Sequence, residues 1–367
     1  MLGVESSAHG ARDDLGRSGY LRAAWHRKKA GVLQRCRSMQ IRRATPSDRA
    51  TIAELIGELI PGTDPLRRMA WLYDGNPQGA AATWLAIDDD RVAGLTSYFP
   101  FDVWHHDRVV HGAVGGDGYV RPAFRRRGIA SALHAAARAD MRRLGIELMY
   151  GAPTAANIRP LQQGGSHVVS DVVRYVCALR GRAIGLHGWA SRLVSGVLAP
   201  RRGRERLVPA YADDERIDDV WRRTRDELAI ATVRDARFYT WRFHDSPSQR
   251  QLPYVVVDAD ARPFACCAIE HVGDRVLIVD VVSPAATWRR AIDAIARHAY
   301  DRDRSAIEIK LLRDDASRRS PWRNGFVRRE GKPFLVVLPD DAAGSDLGDR
   351  ASWYYTGADA DIDTLTA

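Results

Sequence analysis

Apolar positions along this chain alternate between a two-residue and a three-to-four-residue rhythm, and the switches mark the elements. Ile129, Leu133, Ala136, Ala137, Met141 and Leu144 recur at helical steps, with Ser131, His134, Arg138 and Arg142 on the opposite face. Gly145 stops that helix. Ahead of it, Val109 to Val120 is rich in Gly and Val and predicts a strand; behind it, Ile146 to Tyr150 predicts another. Strand, helix and strand in that order predict two parallel neighbours joined by a crossover. Upstream, Ile41 to Ala44 reads as a strand, and Pro46-Ser47-Asp48 opens a helix through Ile60. Ala82 to Ile87 and Val92 to Val103 predict a hairpin turning at Asp88-Asp89-Asp90, and Val168-Val169 and Val172 to Leu179 predict closing strands. The fold class is α/β, of the α+β kind.

Between the parallel strands, Arg125-Arg126-Arg127-Gly128-Ile129-Ala130-Ser131 forms a basic, glycine-marked turn at a helix start. Main-chain N–H groups of a first helical turn lack intrahelical partners and sit at the positive end of the helix dipole, which suits a phosphate or pyrophosphate. Gly128 admits a ligand close to the backbone, and Ala130 keeps the first turn uncluttered. The alternative is a solvated basic turn, to which Arg-Arg-Arg-Gly alone would usually belong. Competing phosphate motifs fail: from Gly325 to Gly331-Lys332 there is one residue too many for a P-loop, and Pro333 follows.

Arg125-x-x-Gly128-x-Ala130 after Val120-x-Pro122 resembles the acyl-CoA-binding motif of the GNAT superfamily of N-acyltransferases, over about residues 39 to 180. The resemblance implies a mixed central sheet flanked by helices, with a V-shaped splay between its two central parallel strands. It implies that the amides of Arg126, Arg127, Gly128, Ile129, Ala130 and Ser131 hold the CoA pyrophosphate, with Arg125 at the motif's Gln/Arg position. The backbone at Tyr119 and Val120 would pair with the pantetheine arm, and Asn157 would contact CoA. Asp117 is then the candidate general base and Tyr150 a candidate acid, since the helix where many members carry a tyrosine reads Asn157 to Gly165 without one. The competing reading of Asp117 is a polar residue in a Gly-rich strand. His105 and His106 fall in a hairpin tip and are discounted.

The second half echoes the first. Trp71-Leu72-Tyr73-Asp74-Gly75-Asn76-Pro77 returns as Trp241-Arg242-Phe243-His244-Asp245-Ser246-Pro247, and Val120-x-Pro122 as Val282-Ser283-Pro284. A helix with Trp288, Ile292, Ile295 and Ala299 on one face follows, then a strand from Ile307 to Leu312 and a Gly325-Phe326 turn. Thr287, Arg290 and Ile292 stand where Arg125, Gly128 and Ala130 would, so this copy keeps the fold without the cofactor. The expected organisation is a basic extension (1–38), a GNAT domain (39–180), a linker (181–207), a degenerate GNAT-like domain (208–340) and an acidic tail (341–367). Met39 is an alternative start to Met1, and Tyr20 to Val32 could instead form a short helix packed on the body. The linker predicts a short helix with Trp189 and Leu193 inward, and the tail's Trp353-Tyr354-Tyr355 predicts docking.

Composition changes little. The 45% hydrophobic and 28% charged residues are those of a globular chain, and the net charge of +9 is almost all arginine. Neither an aromatic-rich nucleic-acid platform nor a metal spacing accompanies it, so no nucleic acid or metal is expected. Cys36, Cys177, Cys266 and Cys267 suggest no disulfide framework, and with neither signal peptide nor membrane span the expected location is cytoplasmic. The function implied is N-acyl transfer from acetyl-CoA or another acyl-CoA to an amine of a small molecule or amino sugar, by direct attack in a ternary complex. O-acyl transfer to a hydroxyl and a non-catalytic CoA-binding or assembly role are the alternatives. Monomer and homodimer stay open.

Overall fold

The computed structural model describes residues 39–339, Leu347 and residues 353–360. The expected N-terminal extension and most of the acidic tail lie outside them. A single twelve-stranded sheet runs through both halves. Its first half contains β1 (Met39–Arg43), β2 (Ala82–Asp88), β3 (Arg91–Pro100), β6 (Gly112–Val120) and β7 (Leu148–Gly151). Between β3 and β6 the chain makes a small excursion, β4 (Val103–His105) and β5 (Arg108–Val110), so the strand expected from Val109 is broken at His111. Helix α1 (Arg49–Leu59) covers one face of this half and α2 (Ile129–Asp140) the other. The α2 stripe of Ile129, Leu133 and Ala137 buries against Trp84, Tyr98, Ala113 and Met149, as its spacing predicts.

After α3 (Ala155–Gln163), the two closing strands expected near residue 170 are one, β8 (His167–Ala178). It does not pair within its own half. A connecting helix, α4 (Gly188–Leu198), then leads to β9 (Arg206–Pro209), α5 (Glu215–Arg225), β10 (Ile230–Thr232), β11 (Gln251–Val257), β12 (Pro263–Val272) and β13 (Arg275–Val282). Helix α6 (Ala285–Asp301) crosses over to β14 (Ala306–Leu312), parallel to β13 as β7 is to β6. The last long strand is β15 (Val327–Val337).

In the middle of the sheet the order is β7-β15-β8-β14. β15, from the second half, pairs with β7 (Val336 opposite Tyr150), and β8, from the first, pairs with β14 (Ile309 opposite Tyr175). Each half thus lends its closing strand to the other, and β8 and β15 also pair with each other. A second sheet joins the halves again: β4 pairs with β10, and β10 with β16 (Trp353–Tyr354) from the tail.

The echoed tryptophans meet across this seam. Trp71 and Trp241 stack with ring centroids 5.6 Å apart, and each indole N–H donates to the other's carbonyl oxygen, at 2.8 and 3.1 Å. Both sit in short π-helical turns, Met69–Asp74 and Thr240–His244. A π-turn widens the backbone where a carbonyl must turn outward to a partner, which these two do. The linker helix departs from expectation: Trp189 and Leu193 face outward, 77% and 67% exposed.

Because β8 finds both ladder partners in the second half, residues 39–180 made alone should not fold. We expect the fragment to aggregate or to melt without cooperativity, while the full chain unfolds in one transition by fluorescence and circular dichroism. A cooperative melt of the isolated fragment would overturn this view of the seam.

Candidate active site

The site grows from one irregular strand. β6 pairs with β7 over only Gly112–Leu148, Ala113–Met149 and Val114–Tyr150. From Gly115 onward the strands part, and β6 runs on to Val120 with half-exposed backbone, Asp117 excepted. On its other side Leu95 opposes Tyr119 and Ser97 opposes Gly116, so Thr96 faces both Asp117 and Gly118. This is a β-bulge, which bends and twists the strand that carries it. Asp117 takes φ 46° there, a region that Asp tolerates better than most residues. Close packing of β3 against the strand end requires Gly94, where a Cβ would lie 2.4 Å from the Tyr119 carbonyl oxygen.

Past Val120 the chain makes a turn at Pro122–Phe124 and enters the basic loop. Arg126 has φ 63° and Gly128 φ 80°, and Gly128 is the N-cap of α2 without any side-chain cap. Intrahelical bonding reaches Gly128 from Ala132, so the N–H groups of Ile129, Ala130 and Ser131 lie ahead of the ladder. A Cβ built on Gly128 meets nothing within 4 Å, so the helix start is open to a ligand. The arginines divide their work. Arg125 donates to the Val120 carbonyl oxygen at 2.9 Å with its guanidinium over the Tyr119 ring, and Arg127 holds Asp88 at 3.2 Å, while Arg126 is exposed. Arg125 therefore occupies one carbonyl to which an extended ligand arm was expected to bond. The Asn157 amide nitrogen is 3.6 Å from where a Gly118 Cβ would be. Ser131 ties α2 to α3 through Gln163 at 2.7 Å. An open helix start, a left-handed glycine and loop arginines together fit a diphosphate.

Both candidate catalytic residues are buried and hydrogen-bonded. Asp117 is 3% exposed, and Arg68 binds it with both ends, at 2.8 and 3.2 Å, while the Tyr73 hydroxyl donates to it at 2.8 Å. Tyr73 meets Ser97 at 3.0 Å, and Ser97 meets Thr83 at 2.9 Å. Burial, reinforced by Asp117, pushes the Tyr73 phenol well above its usual range. Asp117 is thus the centre of a buried ion pair. Tyr150 is equally committed. Its hydroxyl bonds Thr232 of the second half, Thr232 bonds Asp359, and burial and then Asp359 push the phenol far up. Arg68 and Tyr73, which the sequence reading left unassigned, flank the echoed tryptophan and could have been found from that motif.

The second half shows the same parting of strands, filled. β13 pairs with β14 from Arg275 to Ile278, and the tail occupies the opening beyond. Tyr354 donates to the Val281 carbonyl, Thr356 meets Asp280 at 2.7 Å, and fully buried Arg234 bridges Asp280 at 3.0 Å and Asp359 at 2.7 Å. α6 starts directly after Pro284, and Glu227 caps its first amide, Ala285 N, at 2.7 Å. Thr287, Arg290 and Ile292 all lie inside α6. The turn is therefore absent rather than altered by bulky replacements.

Removing one partner of a buried ion pair leaves the other charge uncompensated, at a cost of about 3–5 kcal/mol. Arg68→Met should therefore lower the melting temperature clearly, and Arg68→Met with Asp117→Leu should recover much of the loss. A thermal-melt double-mutant cycle checks this, and additive losses would contradict it.

The sequence model of the acetyltransferase (GNAT) domain family matches residues 40–159. No curated protein sequence matches the chain. Among solved structures, a GCN5-related N-acetyltransferase of Anabaena variabilis superimposes with a TM-score of 0.60 at 13% identity, covering 81% of this chain and 72% of its own. A GCN5-related N-acetyltransferase of Kribbella flavida gives 0.56 at 14%, covering 84% and 73%. Saccharomyces cerevisiae N-myristoyltransferase with bound myristoyl-CoA gives 0.54 at 10%, covering 82% of each. At such identities the structural likeness speaks for the fold alone, and it extends through both halves. The family model thus assigns a GNAT acetyltransferase domain to residues 40–159, within a fold that GNAT N-acetyltransferases share.

Proposed function

We propose that this protein transfers an acyl group, acetyl in the first instance, from CoA to an amine of a small molecule or amino sugar, with both substrates bound together. The observation that carries this reading is the parting of β6 from β7 immediately before the open start of α2. In this reading the amides of Ile129 to Ser131, with Arg126, receive the diphosphate. The remaining backbone of β6 and the Asn157 amide guide the pantetheine arm. The thioester then lies near the bulge, where binding and alignment supply most of the rate. Asp117 and Tyr150 act as positioning residues: Asp117 with Arg68 sets the bulge, and Tyr150 fixes β7 to the second half. The amine's proton leaves through water. Tyr73, Phe99 and Tyr150 fill the face behind the splay, each at most 5% exposed, which favours a short acyl group.

For the acceptor, a groove of about 520 Å³ lies at the seam of the halves, lined by Trp104 and Val109 on one side and on the other by the carboxylates of Glu215, Asp218, Asp219 and Asp235 together with Arg222 and Arg225, the latter lying over the Trp104 ring. The carboxylates outnumber the two arginines there, which suits a cationic amine better than a neutral alcohol. The second half, in this reading, is a diverged copy that keeps the sheet, has closed its own cleft and shapes the acceptor side.

Release of free thiol from acetyl-CoA, followed with matched amines and alcohols, tests the proposal. Turnover is expected with amines. Gly128→Trp should abolish both turnover and calorimetric CoA binding while costing about 1 kcal/mol of stability from its left-handed backbone. Turnover with alcohols alone, or CoA binding without turnover on any acceptor, would refute it.

A further inference from the structure

Helix α4 is built inside out. Its most buried residue is polar, with Ala190, Ser191, Val194 and Leu198 half-buried beside it: Ser195, 8% exposed, accepts from the Gly181 amide at 3.0 Å and donates to the Ser191 carbonyl at 2.6 Å. Close approach there depends on Gly181, where a Cβ would lie 2.7 Å from the Ser191 Cα. Its outer side carries Trp189, Leu193 and Val197, which are 77%, 67% and 82% exposed. Their spacing of four puts all three on one stripe, about 12 Å long at the helical rise. Ile184, 55% exposed, extends the apolar surface into the preceding turn. Single exposed apolar residues are ordinary, but three in register with a fourth beside them mark a contact surface.

Charge identifies the occupant. Arg192 is exposed on the same helix, and Arg201, Arg202 and Arg204 are exposed in the stretch that follows it. None of the four makes an ion pair among the described residues, whereas nearby Arg180 and Arg182 are engaged by Asp303 and Asp274. A second copy docked on this face would set like charges against one another, so self-association is disfavoured. A flat, apolar and anionic partner satisfies both features. We propose that α4 is a membrane-surface anchor, lying in the interface of an anionic bilayer. Trp189, Leu193 and Val197 enter the acyl boundary, and the four arginines contact lipid phosphates. No helix among the described residues is long and apolar enough to cross a membrane, so this is attachment to one leaflet. The acyl-transfer site would then work beside a lipid surface.

Flotation of the full chain with vesicles tests this. Wild type should float with mixed phosphatidylcholine and phosphatidylglycerol vesicles, far less with phosphatidylcholine alone, and less as salt rises. Leu193→Ser with Val197→Ser should reduce the bound fraction roughly tenfold, as should Arg201→Glu with Arg202→Glu, which leaves the stripe intact. Both double variants should keep wild-type melting and CoA binding. Equal flotation of wild type and variants would overturn the proposal. So would a concentration-dependent dimer that Leu193→Ser with Val197→Ser abolishes, because the stripe would then belong to a second copy. Failure of acyl transfer would not bear on this outcome, since flotation requires no turnover.

Discussion

Each half of this protein completes its sheet with a strand from the other, and the rest of the structure depends on that trade. β15 lies between β7 and β8, and β8 between β15 and β14, so no sheet edge is left at the seam. The trade also determines how the site is held. β7 is gripped on its outer side by β15, and Tyr150 is drawn across to Thr232. With β7 held there, the bulged end of β6 is free to diverge without closing back. Reciprocal bonds between Trp71 and Trp241 lock the same seam from below. Two desolvated indole N–H groups are thereby satisfied by main-chain carbonyls, which avoids the cost of burying them unpaired.

Within this shared frame the halves differ in what fills the gap between parallel strands. The first keeps a basic loop and an uncapped helix start. The second has neither: its helix follows the strand directly, Glu227 takes the first amide, and the tail packs into the opening. Arg234, Asp280, Asp359 and Thr356 form a buried polar cluster there in which every carboxylate oxygen is hydrogen-bonded, while Arg234 Nη1 has no partner among the described residues. The equivalent depth of the first half holds Arg68, Asp117 and Tyr73. In both halves a carboxylate on the central strand is clamped by an arginine and a tyrosine, Tyr239 serving Asp280. That recurrence argues for a role in setting strand shape.

Much of this was legible in the chain. The α2 stripe, the acidic hairpin turn, the Gly128 turn and the paired tryptophan motifs are local patterns, and local patterns survive folding. What could not be read depends on distant partners. Periodicity identifies residues 167–178 as strand but says nothing of which neighbours they pair with, so the exchange was invisible. Asp117 reads as an available carboxylate because Arg68 is 49 residues away in sequence. The outward face of α4 was misread for a related reason: an apolar stripe normally turns inward, and only the packing of Ser191 and Ser195 shows that this one does not. Thr287, Arg290 and Ile292 were matched to the first-half motif by spacing, a match that the missing turn invalidates.

The strand trade also bears on synthesis. While the ribosome is still making the second half, β6, α2 and β7 have emerged, but β7 has no outer neighbour and β8 has neither of its own. Only when residue 337 leaves the exit tunnel can β15 slot in and close the sheet. The half that matches the GNAT domain, though encoded first, is thus completed only after most of the second half has been made. Nascent chains must shield an incomplete sheet through most of translation, the stage at which such intermediates are most exposed to aggregation.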